Sequence, residues 1–438
     1  MTVATTPSSV RPAARVRGRL EVPADKSIAH RALIVNALSG GPATVDVRSP
    51  GADVLTTAAC LRALGVSVVA ASDGAVTRFH VSDFPSRDAT LDCGNSGTTM
   101  RLLAGAVAGL PLRVTLDGDA SLRSRPMERV ASLLRAAGAE VTTTDGRAPL
   151  TVAGRTRLVA RTHRLPVASA QLLGAACLAG LSAEGETRIE SPGPTRDHTE
   201  RMLAAAGITI RRAGLVTVLE GPAHPRPRSL AVPGDLSSAT PWLVAGALHP
   251  GADITVTGVG LNPTRTALVD VLRDAGADIE AAATDATGPE PVGDIRVRGG
   301  RPLEPVLISS EAVAALIDEL PLLGIVMAAA GGELRDAAEL RVKESDRITS
   351  MVAGLDAIGA SVEELPDGWR VSPGTPRDAR IATHGDHRIA IAFAIAALTG
   401  VASSVELDDP GCVAVSYPTF WTDLASLAGV ADAADMGS

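Results

Sequence analysis

In "LRVKESDRI", Lys343, Glu344, Asp346 and Arg347 put four charges between two apolar stretches, "LLGIVMAAAGG" and "ITSMVAGLDAIGA". A solvated helix start would tolerate such a cluster, and so would a group of charges held against an anion. On a continuous helix Lys343 and Arg347 stand at i and i+4, so both cations point the same way while Glu344 is turned aside. That spacing predicts a cationic clamp with one carboxylate beside it. Glu344 could then carry a proton whenever anions crowd the site.

Other cations fall at comparable places. The polar clusters "DKSIAHR", "GNSGTTM", "ASAQ", "GDLSS", "LIDELP" and "THGDHR" each stand at the start of an apolar helical run. Their Asp, Ser, Asn and Thr residues fit as N-caps. Capping does not account for Lys26, Arg31, Arg101 or Arg388, because a cation beside a helix N-terminus opposes the dipole. A bound anion removes the conflict, since the free N–H groups and the cations then serve one ligand. Lys26, Arg31, Arg101, Arg125, Arg196, Lys343, Arg347 and Arg388 are the candidate set, in a chain of formal net charge -8. An acidic chain that spends its motif positions on cations is built for phosphates or carboxylates. The basic face needed for non-specific nucleic-acid or anionic-membrane binding is missing. No Walker A or strand-following G-x-G-x-x-G pattern occurs. No set of residues has metal-ligand spacing: His384 and His387 are three apart, but the neighbouring Arg388 would repel a cation.

The elements that position these motifs repeat. Six Ala/Leu-rich runs end near Gly40, Gly109, Gly180, Gly251, Gly331 and Gly400, spaced 69 to 80 residues apart. A second helical stretch follows each, ending at Gly65, Gly138, Gly207, Gly276, Gly359 and Gly429. Glycine after a helical run is a C′ signal, and the alternating residues that follow start a strand. The unit is therefore strand, buried helix, strand, amphipathic helix, strand, and the simplest arrangement is two domains of three units. Hydrophobic residues make up 45% of the 438 and aromatics only 2%, so the cores must be built from Ala, Val, Leu and Ile.

Cys60, Cys93, Cys177 and Cys412 form no C-x-x-C pair, which fits a reducing cytoplasm. "MTVATTPSSVRPAA" has no apolar core and reads as a frayed tail, not a signal peptide. "ADAADMGS" is expected to be disordered, and no apolar run reaches the length of a membrane span.

The stretches "DKSIAHRAL", "LDCGNSGTTMRLLAG", "GDASLRSRPMERV", "ASAQLLGAACLAG", "TRDHTERM", "PGDLSSA", "LIDELP", "LRVKESDRI", "GDHRIAIA" and "VSYPTFWTDL" run in order through nearly the whole chain. Together they resemble the 5-enolpyruvylshikimate-3-phosphate synthase family of enolpyruvyl transferases. The resemblance implies an α/β (α+β) fold of two domains, each of three βαβαββ units in an inside-out α/β barrel, with the active site in the interdomain cleft. Residues 25–235 would form the domain binding mainly shikimate 3-phosphate. Residues 1–24 and 236–438 would form the other, carrying the base and much of the phosphoenolpyruvate site. The implied reaction transfers the enolpyruvyl group of phosphoenolpyruvate to the 5-hydroxyl of shikimate 3-phosphate in the shikimate pathway, with no metal or organic cofactor. The implied protein is a cytoplasmic monomer acting on these two small molecules.

By the same resemblance, Lys26, Ser27, Arg31, Ser169, Ala170, Gln171 and Arg196 hold shikimate 3-phosphate, with Asp318 and Lys343 beside it. Lys26, Arg125, Gln171, Arg347, His387 and Arg388 hold phosphoenolpyruvate, with Asn95, Gly97 and Arg101 shaping its pocket. Asp318 is the implied base at the 5-hydroxyl; Lys343 and Glu344 are closest to the proton transfers, Glu344 being the carbon acid. Residue types alone leave alternatives: Asp318 as a helix cap, Glu319 as a rival base, Ser169 and Gln171 as elements of a helix start, and Asn95 and Gly97 as turn geometry. Arg123 and Arg125 both precede Pro126, and Pro in a first turn places Arg125 at a helix start. Ala29 stands where relatives often have a hydroxyl, which could remove a substrate contact. That leaves open a modified, shikimate-like acceptor. Val415 stands where one branch of the family has a lysine. Gly97 implies an enzyme that glyphosate can inhibit. The related UDP-N-acetylglucosamine enolpyruvyl transferases carry a cysteine in the loop that here reads "DGDASLRSRP", and Lys-Asn where this chain has Lys26-Ser27.

Overall fold

A computed structural model describes residue 7 and residues 9–430. The stretch "ADAADMGS" lies outside the described residues. The chain divides into two compact units. One comprises the chain up to Pro23, Gly234–Asp285 and the chain from Pro291 onwards; the other comprises Ala24–Pro233 and Ala286–Glu290.

Twelve helices come in six pairs, a buried one followed by one lying on its unit's surface. The pairs are α1 (Lys26–Ser39) and α2 (Ala52–Ala63), α3 (Gly97–Ala108) and α4 (Glu128–Ala136), and α5 (Ala170–Gly180) and α6 (His198–Ala205). The remaining pairs are α7 (Leu236–Leu248) and α8 (Ala267–Asp274), α9 (Leu320–Ala330) and α10 (Arg347–Ala357), and α11 (His387–Thr399) and α12 (Phe420–Ala428). The first member of each pair is apolar nearly all round, which only a fully enclosed helix can be. The strands form six sheets among the described residues. In the second repeat Ala89–Asp92 runs parallel to Arg113–Asp117, and the hairpin Glu140–Thr144/Arg147–Ala153 adds antiparallel to it. With α3 and α4 this is a βαβαββ unit, and the same order recurs in five sheets.

The sixth sheet lacks the hairpin. Asp378–Ile381 pairs parallel with Ser404–Leu407, and Ser9–Val10 adds antiparallel on the other side. The expected frayed tail is therefore corrected from Ser9 onwards. Backbone donors there find partners, and Ala13 N–H donates to Leu398 O at 3.1 Å. The first and fourth repeats exchange their opening strands. Arg17–Leu20 pairs with Asp253–Gly260, and Leu230–Ala231 with Ala43–Arg48.

Each unit has its own core. Six of the eight aromatics lie in the unit containing both ends of the chain. There Trp242 donates to Tyr417 Oη at 2.8 Å and stacks on Phe420 at 5.2 Å. All four cysteines are buried and free, and no helix of the described residues is long and apolar enough to cross a membrane.

The two glycine series separate. Gly65, Gly138, Gly207, Gly276, Gly359 and Gly429 all have positive φ, as C′ residues should. Of the first series only Gly40, Gly331 and Gly400 do. Gly109 and Gly180 serve close packing instead: a Cβ on Gly109 would lie 2.2 Å from Ser182 Oγ. Gly251 lies beyond the cap of α7 at His249.

α3 meets the backbone of α5 at Gly105, where an added Cβ would lie 2.6 Å from Ala175 Cα and 2.5 Å from its carbonyl oxygen. Alanine gains up to about 1 kcal/mol of helix propensity over glycine, but backbone cannot move aside cheaply. Gly105→Ala is therefore expected to destabilise by roughly 1–3 kcal/mol, read as a lowered denaturation midpoint. An unchanged midpoint would mean that α3 and α5 can part freely.

Candidate active site

Five of the six buried helices begin on a side-chain cap. Asp25, Ser96, Ser169, Asp235 and Asp386 accept from first-turn N–H groups of α1, α3, α5, α7 and α11. The polar motifs are thus helix starts, and their cations need a separate account.

In the unit of residues 24–233, Arg31 is the deepest cation. Its Nε donates to Thr199 Oγ1 at 2.7 Å, Nη1 to Ser27 O at 2.9 Å and Nη2 to Ala170 O at 3.2 Å. A guanidinium has five N–H groups, so two remain for a ligand beside half-buried Ser27 and Ser169. Burial lowers its pKa, partly offset by Asp25 and Glu200, while Arg196 adds to the lowering. Lys26 is exposed and only 3.4 Å from Asp53, a pairing easily given up for an anion.

Arg101 donates through Nη1 to Gln171 Oε1 at 2.7 Å, and Gln171 Nε2 donates to Thr98 Oγ1 at 2.9 Å. Burial, then Arg125 and Arg129, lower the Arg101 pKa to about 10, so it stays cationic at neutral pH. Arg125 donates to Asn95 Oδ1 at 2.6 Å, and Asn95 in turn donates to Asp119 at 2.8 Å. Arg125 does not start a helix, as Pro126 suggested; it ends the short helix Ala120–Ser124, and α4 begins only at Glu128. Arg123 is instead tied to Asp117. An added Cβ on Gly97 would lie 2.7 Å from Arg101 Nη1 and 3.5 Å from Arg125 Nη1.

A buried hydroxyl chain fixes the helices beneath these groups. His30 Nδ1 lies 2.7 Å from Thr57 Oγ1, Thr57 Oγ1 lies 2.7 Å from Thr99 Oγ1, and Thr99 Oγ1 donates to Ser96 Oγ at 2.8 Å. Thr57 Oγ1 also reaches Asp53 O at 3.5 Å. His30 Nε2, on the far side of the ring, is buried in the core with no partner. Burial lowers the His30 pKa to about 4. Ala29 is fully buried beside it, so a hydroxyl at that position would face the core and not a substrate. That corrects the expected lost contact.

In the other unit the "LRVKESDRI" helix expected to run through Lys343 is broken. A 3-10 turn spans Ala338–Val342, Lys343 is extended, and α10 starts at Arg347 with Asp346 capping Thr349 N–H. Lys343 and Arg347 do not share a helix face, and Glu344 is not turned aside. Arg347 Nη2 donates to Glu344 Oε2 at 2.6 Å, while Lys343 Nζ donates to Glu339 at 2.7 Å. Arg347 is buried and held by Asp386, its Nε at 2.8 Å from Oδ2 and Nη2 at 3.3 Å from Oδ1. Burial disfavours its charge, but Asp386, Glu344 and Asp318 outweigh that and raise its pKa. Arg347 Nη1 is buried with no partner. Asp386, fully buried, also accepts from Ser345 Oγ and from Arg388 N–H. It orders the Arg347 side chain and the backbone at Arg388. Residue reading had passed over it, although it stands inside the quoted "GDHR". Half-buried Asp318 lies near enough to Arg347 to act on its charge, and half-buried His387 and Arg388 open α11. Among the described residues no group of three or more His, Cys, Asp or Glu could hold a metal ion.

A family profile described as EPSP synthase (3-phosphoshikimate 1-carboxyvinyltransferase) matches residues 10–424. The chain belongs to the EPSP synthase family. Among EPSP synthase relatives, the 3-phosphoshikimate 1-carboxyvinyltransferase of Acidithiobacillus ferrooxidans is 48% identical over 426 residues, covering 96% of this chain and 97% of its own. That of Herpetosiphon aurantiacus is 47% identical, covering 95% and 98%. A solved EPSP synthase from Acinetobacter baumannii has a TM-score of 0.86 at 38% identity, covering 96% of this chain and 97% of its own. The enolpyruvyl transferase NikO of Streptomyces tendae shares the fold, with a TM-score of 0.73 at 20% identity over 96% of both chains. Val415 is 67% exposed.

Two predictions follow from this geometry. Asp386→Ala leaves a buried arginine short of its main counter-charge and should cost roughly 3–5 kcal/mol of stability, measured by denaturant unfolding. His30 has a folded pKa below its unfolded value, so the unfolded chain binds the proton first. Its contribution is complete above pH 6.5 and is lost as pH falls towards about 4, with a slope of up to about 1.4 kcal/mol per pH unit. His30→Gln should show a shallower acid limb when stability is measured across that window.

Proposed function

We propose that this chain transfers the enolpyruvyl (1-carboxyvinyl) group of phosphoenolpyruvate to the 5-hydroxyl of shikimate 3-phosphate and releases phosphate, a step towards chorismate and the aromatic amino acids. Arg347 carries the reading: a buried guanidinium anchored on two carboxylates that keeps an unpartnered Nη1 donor. A buried donor without an acceptor is costly, and an anionic oxygen is the acceptor its charge selects.

Both substrates carry a phosphate and a carboxylate, so bringing them together needs several fixed cations. Arg31 and Arg196, with Ser27, Ser169, Ala170 and Gln171, take shikimate 3-phosphate. Arg347, Arg388 and His387, with Lys26, Arg101, Arg125 and Asn95, take phosphoenolpyruvate. Asp318 accepts the 5-hydroxyl proton as that oxygen attacks C2 of phosphoenolpyruvate, while Glu344, near Lys343, gives a proton to the methylene carbon. In the second step that methyl group returns a proton, the C2–O bond to phosphate breaks and the enol ether forms. The same reading makes the protein a cytoplasmic monomer, with buried thiols suited to a reducing compartment.

Phosphate release from phosphoenolpyruvate should require shikimate 3-phosphate and not shikimate, and should disappear in Asp318→Ala and Lys343→Met. Release with no acceptor, or equal release with shikimate, would sink the reading. Shikimate 3-phosphate should also tighten binding of phosphoenolpyruvate-site ligands, which titration calorimetry can measure. Glyphosate should inhibit the native chain. Gly97→Ala, by displacing Arg101 and through it Gln171, should raise its inhibition constant about tenfold or more, equivalent to about 1.4 kcal/mol. A flat inhibition curve for the native chain would contradict this.

A further inference from the structure

Glu319 stands at the N-cap position of α9, yet its side chain caps nothing. It is instead 5% exposed and turned towards the start of α7, where Ser237 Oγ donates to its Oε1. Ser237 has one hydroxyl proton and gives it to Glu319; its lone pairs remain for a donor. That donor is Arg265, whose Nη2 lies 2.7 Å from Ser237 Oγ and 2.9 Å from Asp235 Oδ1. Asp235 also caps α7, accepting from Ser237 N–H and Ser238 N–H at 3.2 Å each and from Ser238 Oγ at 3.0 Å. Ser237 and Arg265 are themselves only 5% and 7% exposed.

A buried carboxylate is expensive unless its bonds are met, and a capping role would have been available to Glu319 at lower cost. Its inward turn therefore fixes something. The preceding helix ends at Leu316, so only Ile317 and Asp318 separate it from Glu319, whose N–H donates to Leu316 O at 2.8 Å. Holding Glu319 at both its backbone and its side chain leaves the two residues between little freedom.

We propose that Glu319 is a positioning residue: through Ser237 and Arg265 it bolts the start of α9 to the start of α7 and so sets where the Asp318 carboxylate stands. This rests on the reading of Asp318 as the base. It also accounts for Glu319 itself, the rival base by residue type, which is enclosed and already bonded. A misplacement of about 1 Å in a reacting group can cost on the order of a hundredfold in rate.

The test is steady-state kinetics on the full chain with Glu319→Ala, Glu319→Gln, Ser237→Ala, Asp318→Asn and the double variant Glu319→Ala/Asp318→Asn. Thermal unfolding of each variant checks its fold. Glu319→Ala should lower kcat about 10- to 100-fold, with the KM for shikimate 3-phosphate changed less than about twofold. Glu319→Gln, whose amide oxygen still accepts from Ser237, should recover most of the loss. Ser237→Ala should show the same kcat-selective loss on a smaller scale, and carries the test if Glu319→Ala does not fold. In the Asp318→Asn background, Glu319→Ala should add nothing. A Glu319→Ala enzyme at native kcat, a loss confined to KM, no recovery in Glu319→Gln, or a full additional loss in the double variant would overturn the proposal while leaving the base assignment standing. An Asp318→Asn enzyme at native kcat would overturn the base assignment, and the proposal with it.

Discussion

The bond between Arg347 and Asp386 is the constraint on which the charged end of its unit depends. Neither partner could be buried alone, since an unpaired charge in a protein interior costs several kcal/mol. Together they are enclosed, and each then works outwards. Asp386 caps α11 and so fixes the first turn that carries His387 and Arg388. Arg347 opens α10, draws Glu344 to itself and feels the charge of Asp318. The "LRVKESDRI" cluster is thus held from the inside, with donor capacity left over.

The other unit reaches a similar end by different chemistry. Three of its cations rest on neutral partners: backbone carbonyls and Thr199 for Arg31, Gln171 and Pro126 O for Arg101, and Asn95 for Arg125. Neutral acceptors orient a guanidinium without cancelling its charge, so the field offered to an anion stays strong. The helices below are registered by the hydroxyl chain from His30 to Ser96, whose neutral imidazole adds no charge of its own.

Much of this was legible in the sequence because its causes are local. The glycines at 65, 138, 207, 276, 359 and 429 occupy a backbone region that side chains avoid, and all six mark helix ends. Asp25, Ser96, Ser169, Asp235 and Asp386 mark helix starts through an equally local bond. The break at Lys343–Asp346 was also written locally, in an Asp three residues before Thr349, but the i, i+4 spacing of two cations was the more conspicuous signal. What could not be read was long-range: that Glu319 turns to Ser237, that Thr57 and Thr99 meet from different repeats, and that Ala29 faces the core. Those depend on how helices are rolled about their axes once packed, which neighbouring residues in the chain do not specify.

The exchange of opening strands has a consequence for synthesis on the ribosome. Ala24–Pro233 leaves and rejoins the rest of the chain at neighbouring points of its own backbone, with Asp25 N–H bonded to Pro233 O at 2.9 Å. Its first sheet is completed by Leu230–Ala231, so nearly all of that unit can close as soon as those residues emerge. Arg17–Leu20, made earlier, must wait for Asp253–Gly260, and Ser9–Val10 for Ser404–Leu407. The earliest-made strands therefore pair only after all of Ala24–Pro233 has been made. Until those partners emerge, residues 9–20 are an unsatisfied edge, and their content of Pro, Arg and Gly suits a segment that must stay unpaired without seeking the wrong partner.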